Sequence, residues 1–264
     1  MTDKVAIVTG GGRGIGRAAA IELADAGCRV TLAARTMAEL HEAAETIRAT
    51  GGTAIVVQTD VSRDKDIQRM VQATIAEFGR IDILVNNAAM TCRGDVLTMS
   101  LDDWNRVLAT NLTSVFLCSK YAVPHIMAAG GGVVINVSSI NAMRGTGHGL
   151  AYTACKGAID AMTYDMAVHL GPHNIRVVSL QPGAIDTEIS RKYAETFKGG
   201  DAIHDFSLDM TPLGRWGTPE EMGKIIRFLA SDDASFITNT TLLADGGWLR
   251  QCFPRSLSSP DERD

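Results

Sequence analysis

The sequence predicts an α/β fold: a single domain built on a doubly wound parallel sheet of about seven strands, with helices on both faces. Three observations carry that prediction. Short apolar runs rich in Val, Ile and Leu alternate, from end to end, with segments whose apolar residues recur at helical spacing, the pattern of successive strand-helix units. The first run empties into a glycine cluster that opens a helix, a layout that sets free helix N–H groups against a phosphate. Finally, the 264 residues contain no repeat, linker or composition shift that would divide them, and a chain of this length buries about three quarters of its unfolded surface in one core.

Bulk properties exclude several function classes. The net charge is −5 with Lys and Arg scattered, so no nucleic-acid or anionic-membrane surface is expected. Met1 leads directly into the first strand, and no apolar run reaches the roughly 18 residues of a membrane span, so a soluble, cytoplasmic protein is expected. The five cysteines are odd in number and form no CxxC. Reduced thiols are the better reading, over disulfides or zinc.

Residues 4–9 form the first strand, which ends in Gly10-Gly11-Gly12-Arg13-Gly14-Ile15-Gly16; the helix after it turns Ile21, Leu23 and Ala24 inward. The common spacing GxGxxG is absent, and the loop runs Gly10-x-x-x-Gly14-x-Gly16. A turn that binds nothing is the plain alternative, but the position directly after the first strand argues for phosphate binding. The second strand, 29–34, ends where dinucleotide folds test the adenosine ribose, about 20 residues past the glycines. An acid there takes the 2′-OH of NAD, whereas this chain has Ala34 followed by Arg35. A guanidinium can hold a 2′-phosphate with bidentate bonds, and Arg13 is a second candidate cation. NADP is therefore favoured over NAD, the alternative being that both arginines are ordinary surface residues.

A helix over 37–50 closes at Gly51-Gly52, and a third strand, 53–58, delivers Asp60 and Val61. Asp60 can also cap the next helix, 64–78, which ends at Gly79. The fourth strand, 81–85, has Asn86-Asn87-Ala88-Ala89 at its tip. Paired asparagines fix loops by bonding backbone groups, and the small residues after them let a flat ring approach. Residues 101–129 read as one helical stretch interrupted by Asn111 and Pro124. A mid-helix asparagine competes for the backbone, so Asn111 is either exposed or bends the helix to hold a water. Strand five, 133–137, brings Ser138 and Ser139 to the edge that carries the glycines. A helix continuing to about residue 170 follows, then strand six, 175–180, leading to Pro182-Gly183 and Thr187. From 188 to 216 the periodicity fails, as in a mobile lid. A helix opens at Pro219-Glu220-Glu221, and the last strand lies at 241–243. The domain is expected to span 1–250, with the Ser- and Pro-containing tail 251–264 poorly ordered.

Tyr152 and Lys156 stand four apart at the start of their helix, which sets their Cβ atoms about 5–6 Å apart on one face. A free tyrosine has a pKa of about 10, and a cation within roughly 4–6 Å favours the phenolate. Such a pair could exchange a proton with an alcohol or carbonyl oxygen near neutral pH. Two other clusters carry less. His169 and His173 share a helix face but have no acidic third ligand, so no metal is expected. Cys155 has the wrong helical phase to join both Tyr152 and Lys156, and reads as a packed thiol.

Taken together, Thr9 through Gly16, Asp60-Val61, Asn86-Asn87-Ala88, Asn111, Ser139 thirteen residues before Tyr152, Tyr152-x-x-x-Lys156, Pro182-Gly183 with Thr187, and Asp245-Gly246-Gly247 closely resemble the short-chain dehydrogenase/reductase (SDR) family. The resemblance covers residues 4–248 and implies a Rossmann-type sheet. It also implies that Tyr152 is the general acid/base on the substrate oxygen, and that Lys156 lowers its pKa while holding the nicotinamide ribose. Ser139 would orient the substrate oxygen, and Asn111 would hold a water linking Lys156 to solvent. Ser138 is the alternative serine, but strand alternation and the family spacing favour Ser139. Around the dinucleotide the resemblance puts Gly10, Gly12, Arg13, Gly14, Ile15, Gly16, Arg35, Asp60, Val61, Asn87, Ala88, Pro182, Gly183 and Thr187. Ala89 departs from the family's glycine, and would be strained if its φ were positive.

The implied activity is hydride transfer between NADP(H) and a secondary alcohol or ketone. The alternatives are the same chemistry with NAD(H), and a non-catalytic dinucleotide-binding sensor or scaffold. A sensor would be expected to lose the tyrosine or the lysine, and both are present. Substrate contacts are expected from Ser139, Asn141 and His148, with Met90, Arg144 and the 188–216 lid completing the wall. Assembly as a homo-oligomer, a tetramer or dimer, is expected through the helices at 101–129 and 151–170.

Overall fold

The structure is a computed structural model that describes residues 1–195 and 200–257. The first half of the chain alternates β1 (Val5–Thr9), α1 (Gly14–Asp25), β2 (Arg29–Ala34), α2 (Met37–Ala49), β3 (Thr53–Gln58), α3 (Asp64–Phe78) and β4 (Ile83–Asn86). The second half runs α4 (Leu101–Leu108), α5 (Ser114–Ala128), β5 (Gly132–Val137), α6 (Leu150–Leu170), β6 (Ile175–Pro182), α7 (Glu188–Glu195), α8 (Gly200–Asp209), α9 (Pro219–Ala230) and β7 (Thr240–Ala244). The seven strands pair in the order β3-β2-β1-β4-β5-β6-β7, all parallel.

Strands covered on both faces need apolar residues in both phases, which is why every residue of β1 and β4 is buried. Alternate residues then feed two cores. Ala6, Val8, Leu32, Ile135 and Leu180 pack with Leu23 of α1, Leu40 of α2 and Ile226 of α9. Ile7, Leu84, Val134 and Val177 pack with Met70 of α3, Ile126 of α5 and Ala167 of α6. Between β1 and β4 the strand order reverses, and a crevice opens there beyond the carboxyl ends of the strands.

Three segments differ from expectation. The stretch 101–129 is not one helix, because a π-helical turn, Ala109–Thr113, separates α4 from α5. Such turns widen the hydrogen-bond ring and re-aim the backbone. In the 188–216 segment the amphipathic α7 and α8 replace the predicted irregular lid; its residues 196–199 lie outside the described residues. In the tail, 251–257 is tied to α8, where the Ser256 N–H and hydroxyl each donate to the Asp209 carboxylate at 2.7 Å. Residues 258–264 also lie outside the described residues.

Candidate active site

The glycine loop is shaped by two backbone demands. Gly10 and Gly14 have φ of +67° and +54°, values that L side chains rarely adopt. Gly16 meets a different constraint: a Cβ there would sit 2.2 Å from the Gly10 carbonyl oxygen and 2.4 Å from Asn87 Nδ2. Asn87 is in that position because its amide donates to the Thr9 carbonyl at 2.9 Å, while the Thr9 hydroxyl accepts from the N–H groups of Asn87 and Ala88 at 3.0 and 3.1 Å. The tip of β4 is thereby stapled to the start of the loop. No side chain caps α1, leaving its first N–H groups available to an anion. Gly16→Ala forces a backbone shift, for which overpacking of about 1–3 kcal/mol is expected; a thermal melt and a dinucleotide titration should show lower Tm and weaker binding together.

At the outer end of the cleft the two arginines separate. Arg13 forms ion pairs with Glu188 of α7 at 2.6 Å and Glu39 of α2 at 3.4 Å. Arg35 is exposed, and its guanidinium makes no hydrogen bond or salt bridge among the described residues. Asp60 lies beside it. Partial burial raises the Asp60 pKa, but hydrogen bonds from the Ser62 hydroxyl and N–H, with Arg35 and Arg63 nearby, hold it below the usual value. Its carboxylate shapes this turn; the cap position of α3 is Arg63.

At the inner end, β5 delivers two serines with different tasks. The Ser138 hydroxyl is buried and donates to the Lys156 carbonyl at 3.1 Å. The Ser139 hydroxyl accepts from the Asn141 N–H at 3.1 Å and hydrogen-bonds the Tyr152 phenol. α6 carries Tyr152 in its first turn and Lys156 one turn later. Lys156 Nζ stands 5.4 Å from the Tyr152 ring centroid and donates to the Val137 carbonyl at 2.7 Å.

Burial is the largest influence on the acidity of both groups. Burial pushes Tyr152 up to about 12, with the Ser139 hydrogen bond opposing it, and burial pushes Lys156 down to about 8. Desolvation disfavours whichever form is charged, so it moves an acid and a base in opposite directions. At pH 7 the phenol is protonated and the ammonium charged.

Asn111 is buried in the π-helical turn, with Oδ1 accepting from the Met90 N–H and Nδ2 donating to the Met90 carbonyl, both at 2.8 Å. Its side chain thus anchors the cleft wall, and the helix is interrupted where the sequence led one to expect it. Ala89 carries no strain, because the non-glycine residues with positive φ are Asp3, Asn174 and Asn239.

One cleft lies along the strand ends, from Gly10, Gly12, Arg13, Gly14 and Ile15 past Arg35, Asp60 and Val61, then Asn87 and Ala88, to Ser139, Tyr152, Lys156, Pro182, Gly183 and Thr187. Gly16 and Asn111 act from behind its wall. Met90 lines it, whereas Asn141 and His148, expected as substrate contacts, do not. Asn141 Oδ1 accepts from Arg144 Nε at 3.3 Å, and Arg144 stacks on Trp248 with 3.8 Å to the ring centroid. The His148 carbonyl accepts from the Gly94 N–H at 2.9 Å, closing the rim. Thr9 stood in the motif that opens the loop, but its role as the staple to Asn87 was not identified from the sequence. Glu39 and Glu188 were not identified either, because they partner Arg13 from 26 and 175 residues away, with no local signal.

Comparison with known proteins gives a consistent picture. A family model described as enoyl-(acyl carrier protein) reductase matches residues 10–249. An uncharacterized oxidoreductase of Thermotoga maritima is 37% identical over 248 residues, 94% of this chain and 96% of that protein. A 3-oxoacyl-[acyl-carrier-protein] reductase of Synechocystis sp. is 36% identical over 249 residues, 94% of this chain and 97% of that protein. The crystal structure of a short-chain type dehydrogenase/reductase from Mycobacterium marinum superposes with a TM-score of 0.89 at 34% identity, covering 95% of this chain and 97% of that one.

Proposed function

The chain belongs to the short-chain dehydrogenase/reductase family, and from that premise we propose that it transfers hydride between NADP(H) and a ketone or secondary alcohol. The observation that carries this reading is that Ser139, Tyr152 and Lys156 line one end of the cleft that starts at the glycine loop, with Lys156 Nζ 5.4 Å from the Tyr152 ring centroid. The loop fits a dinucleotide, since its glycines leave no Cβ in the cradle and the α1 N–H groups face it uncapped. When bound, that group supplies or accepts the hydride. Gly10 to Gly14 would receive its pyrophosphate, Arg35 its 2′-phosphate, and Lys156 its inner ribose.

Tyr152 gives a proton to, or takes one from, the substrate oxygen, which Ser139 holds. A phenol raised to about 12 stays protonated at neutral pH. That is the form needed to protonate the oxygen of a ketone undergoing reduction. Self-association is proposed through the outer faces of α4 to α6, where Leu101, Phe116, Tyr164 and Val168 are exposed. No helix among the described residues is long and apolar enough to cross a membrane.

NAD is the second reading, and Glu39 favours it by occupying Arg13 at the adenosine end. Steady-state kinetics with NADPH and NADH on a panel of ketones separates the two. With the Arg35 guanidinium in no salt bridge among the described residues, wild type should prefer NADPH. Arg35→Ala should lower kcat/KM for NADPH by about 10–100-fold, the value of a hydrogen bond to a charged group, and change NADH by less than about twofold. Equal use of both cofactors by wild type would overturn the NADP assignment.

A further inference from the structure

We propose that Asp160 is a positioning residue for this reaction: from one turn beyond Lys156 it clamps the catalytic helix to β6 and provides the buried counter-charge of the Lys156 ammonium. The inference rests on the oxidoreductase reading above. Tyr152, Lys156 and Asp160 follow one another at intervals of four along α6, and so form one stripe with about 5–6 Å between successive Cβ atoms. Asp160 is 8% exposed, and both of its carboxylate oxygens are engaged: Oδ1 accepts from the Ser179 hydroxyl and Oδ2 from Gln181 Nε2, each at 2.6 Å. Both donors are neutral, and no salt bridge to Asp160 occurs among the described residues.

A buried carboxylate with only neutral donors retains a large desolvation penalty, which a nearby opposite charge offsets. Lys156 is that charge. It is 3% exposed, and among the described residues its ammonium donates to the Val137 carbonyl alone. The titratable groups facing Lys156 alongside Asp160 are Tyr152 and Cys155, both on α6. β5 offers it a carbonyl and β6 the neutral Ser179 and Gln181, while Tyr193 of α7 faces Tyr152. Burial lowers the lysine's pKa, and Cys155 and Asp160 both oppose that shift.

The clamp also has a geometric consequence. Asn86, Asn136, Ser179 and Thr241 stand side by side across β4, β5, β6 and β7. α6 meets this polar row three times: Asn136 donates to the Thr163 hydroxyl at 2.9 Å, Tyr164 and Thr241 share a hydrogen bond of 2.8 Å, and Asp160 binds Ser179. Gln181 directly precedes Pro182 and Gly183 in the cleft wall. Asp160 thus fixes the separation between the helix that carries the proton donor and the strand that carries the opposite wall.

The test compares Asp160→Asn, Asp160→Ala and Asp160→Glu with Gln181→Met, which breaks one bond but keeps the charge. Three measurements are made on each: Tm, kcat/KM for ketone reduction between pH 6 and 10, and NADPH affinity by fluorescence over the same range. In wild type the alkaline limb is expected near 8, where Lys156 loses its proton. Removing the anion makes the ammonium easier to deprotonate, so the neutral variants should move that limb down by about half to one unit, in both turnover and binding. Asp160→Glu and Gln181→Met should leave it in place, the latter with a lower Tm. A limb that stays put in the neutral variants, or moves equally in Gln181→Met, overturns the proposal. So does failure of both neutral variants to fold while Asp160→Glu folds. Wild type that binds NADPH but reduces no ketone would instead overturn the oxidoreductase reading.

Discussion

Tyr152→Phe is expected to lower kcat by about 10²–10⁴-fold, the usual worth of a positioned general acid or base, and to leave dinucleotide affinity within about twofold. The substitution removes one oxygen and keeps the ring, so the packing of the first turn of α6 is preserved. Only the Ser139 hydroxyl loses a partner, and it still accepts from the Asn141 N–H. The cleft beyond Tyr152 is held by other contacts: the Asn87-Thr9 staple, the glycine loop, and the Lys156-Val137 bond. Single-turnover reduction and a fluorescence titration with NADPH separate chemistry from binding. Activity within about threefold of wild type on an accepted ketone would remove Tyr152 from the proton-transfer role.

The same site sets the pH dependence of reduction. Because burial takes Tyr152 to about 12, the phenol remains a proton donor throughout the range in which the enzyme can be assayed. Lys156, lowered to about 8, titrates inside that range. The alkaline limb expected in the profile is therefore assigned to the lysine, and Tyr152→Phe should reduce the height of the profile without moving that limb.

Sequence patterning made the sheet legible because each rule involved is local. The unbroken apolar run of β1, the glycines at the β1-α1 junction, and the Pro219-Glu220-Glu221 start of α9 are each decided within a few residues. What the sequence hid depends on contacts between distant segments. Asn111 read as either an exposed residue or a bend in the helix; its place in the wall follows from Met90, 21 residues earlier. Arg13 read as a second candidate cation beside Arg35, and nothing local showed that Glu39 and Glu188 pair with it. The acidity of Tyr152 is hidden for a related reason: spacing along α6 reports the neighbouring cation, whereas desolvation, the largest influence on the phenol, depends on how the whole cleft is packed. Asp160 was visible at the right interval from Lys156, yet nothing local distinguishes it from a solvated helix acid. Its meaning comes from Ser179 and Gln181 on a strand that packs beneath it.

Lys156→Met should be the more damaging replacement because it acts on three things at once. It removes the cation expected to hold the inner ribose, a charge-assisted contact worth about 1.5–3 kcal/mol, so NADPH affinity should fall by about 10–100-fold. It also removes the charge beside the Tyr152 ring, so kcat should fall as well, by about 10²-fold or more if proton transfer runs through this pair. Finally, it leaves the buried Val137 carbonyl without its donor and Asp160 without its counter-charge. Methionine matches the length of the stem, so no cavity offsets the reading; the unpaired carbonyl alone costs about 1–3 kcal/mol, and Tm should drop by about 2–4 °C for each kcal/mol. The decisive contrast is with Tyr152→Phe, where binding and stability are spared. If Lys156→Met kept wild-type NADPH affinity while losing turnover, the lysine would serve the proton alone, and the inner ribose would have to be held by other residues of the cleft.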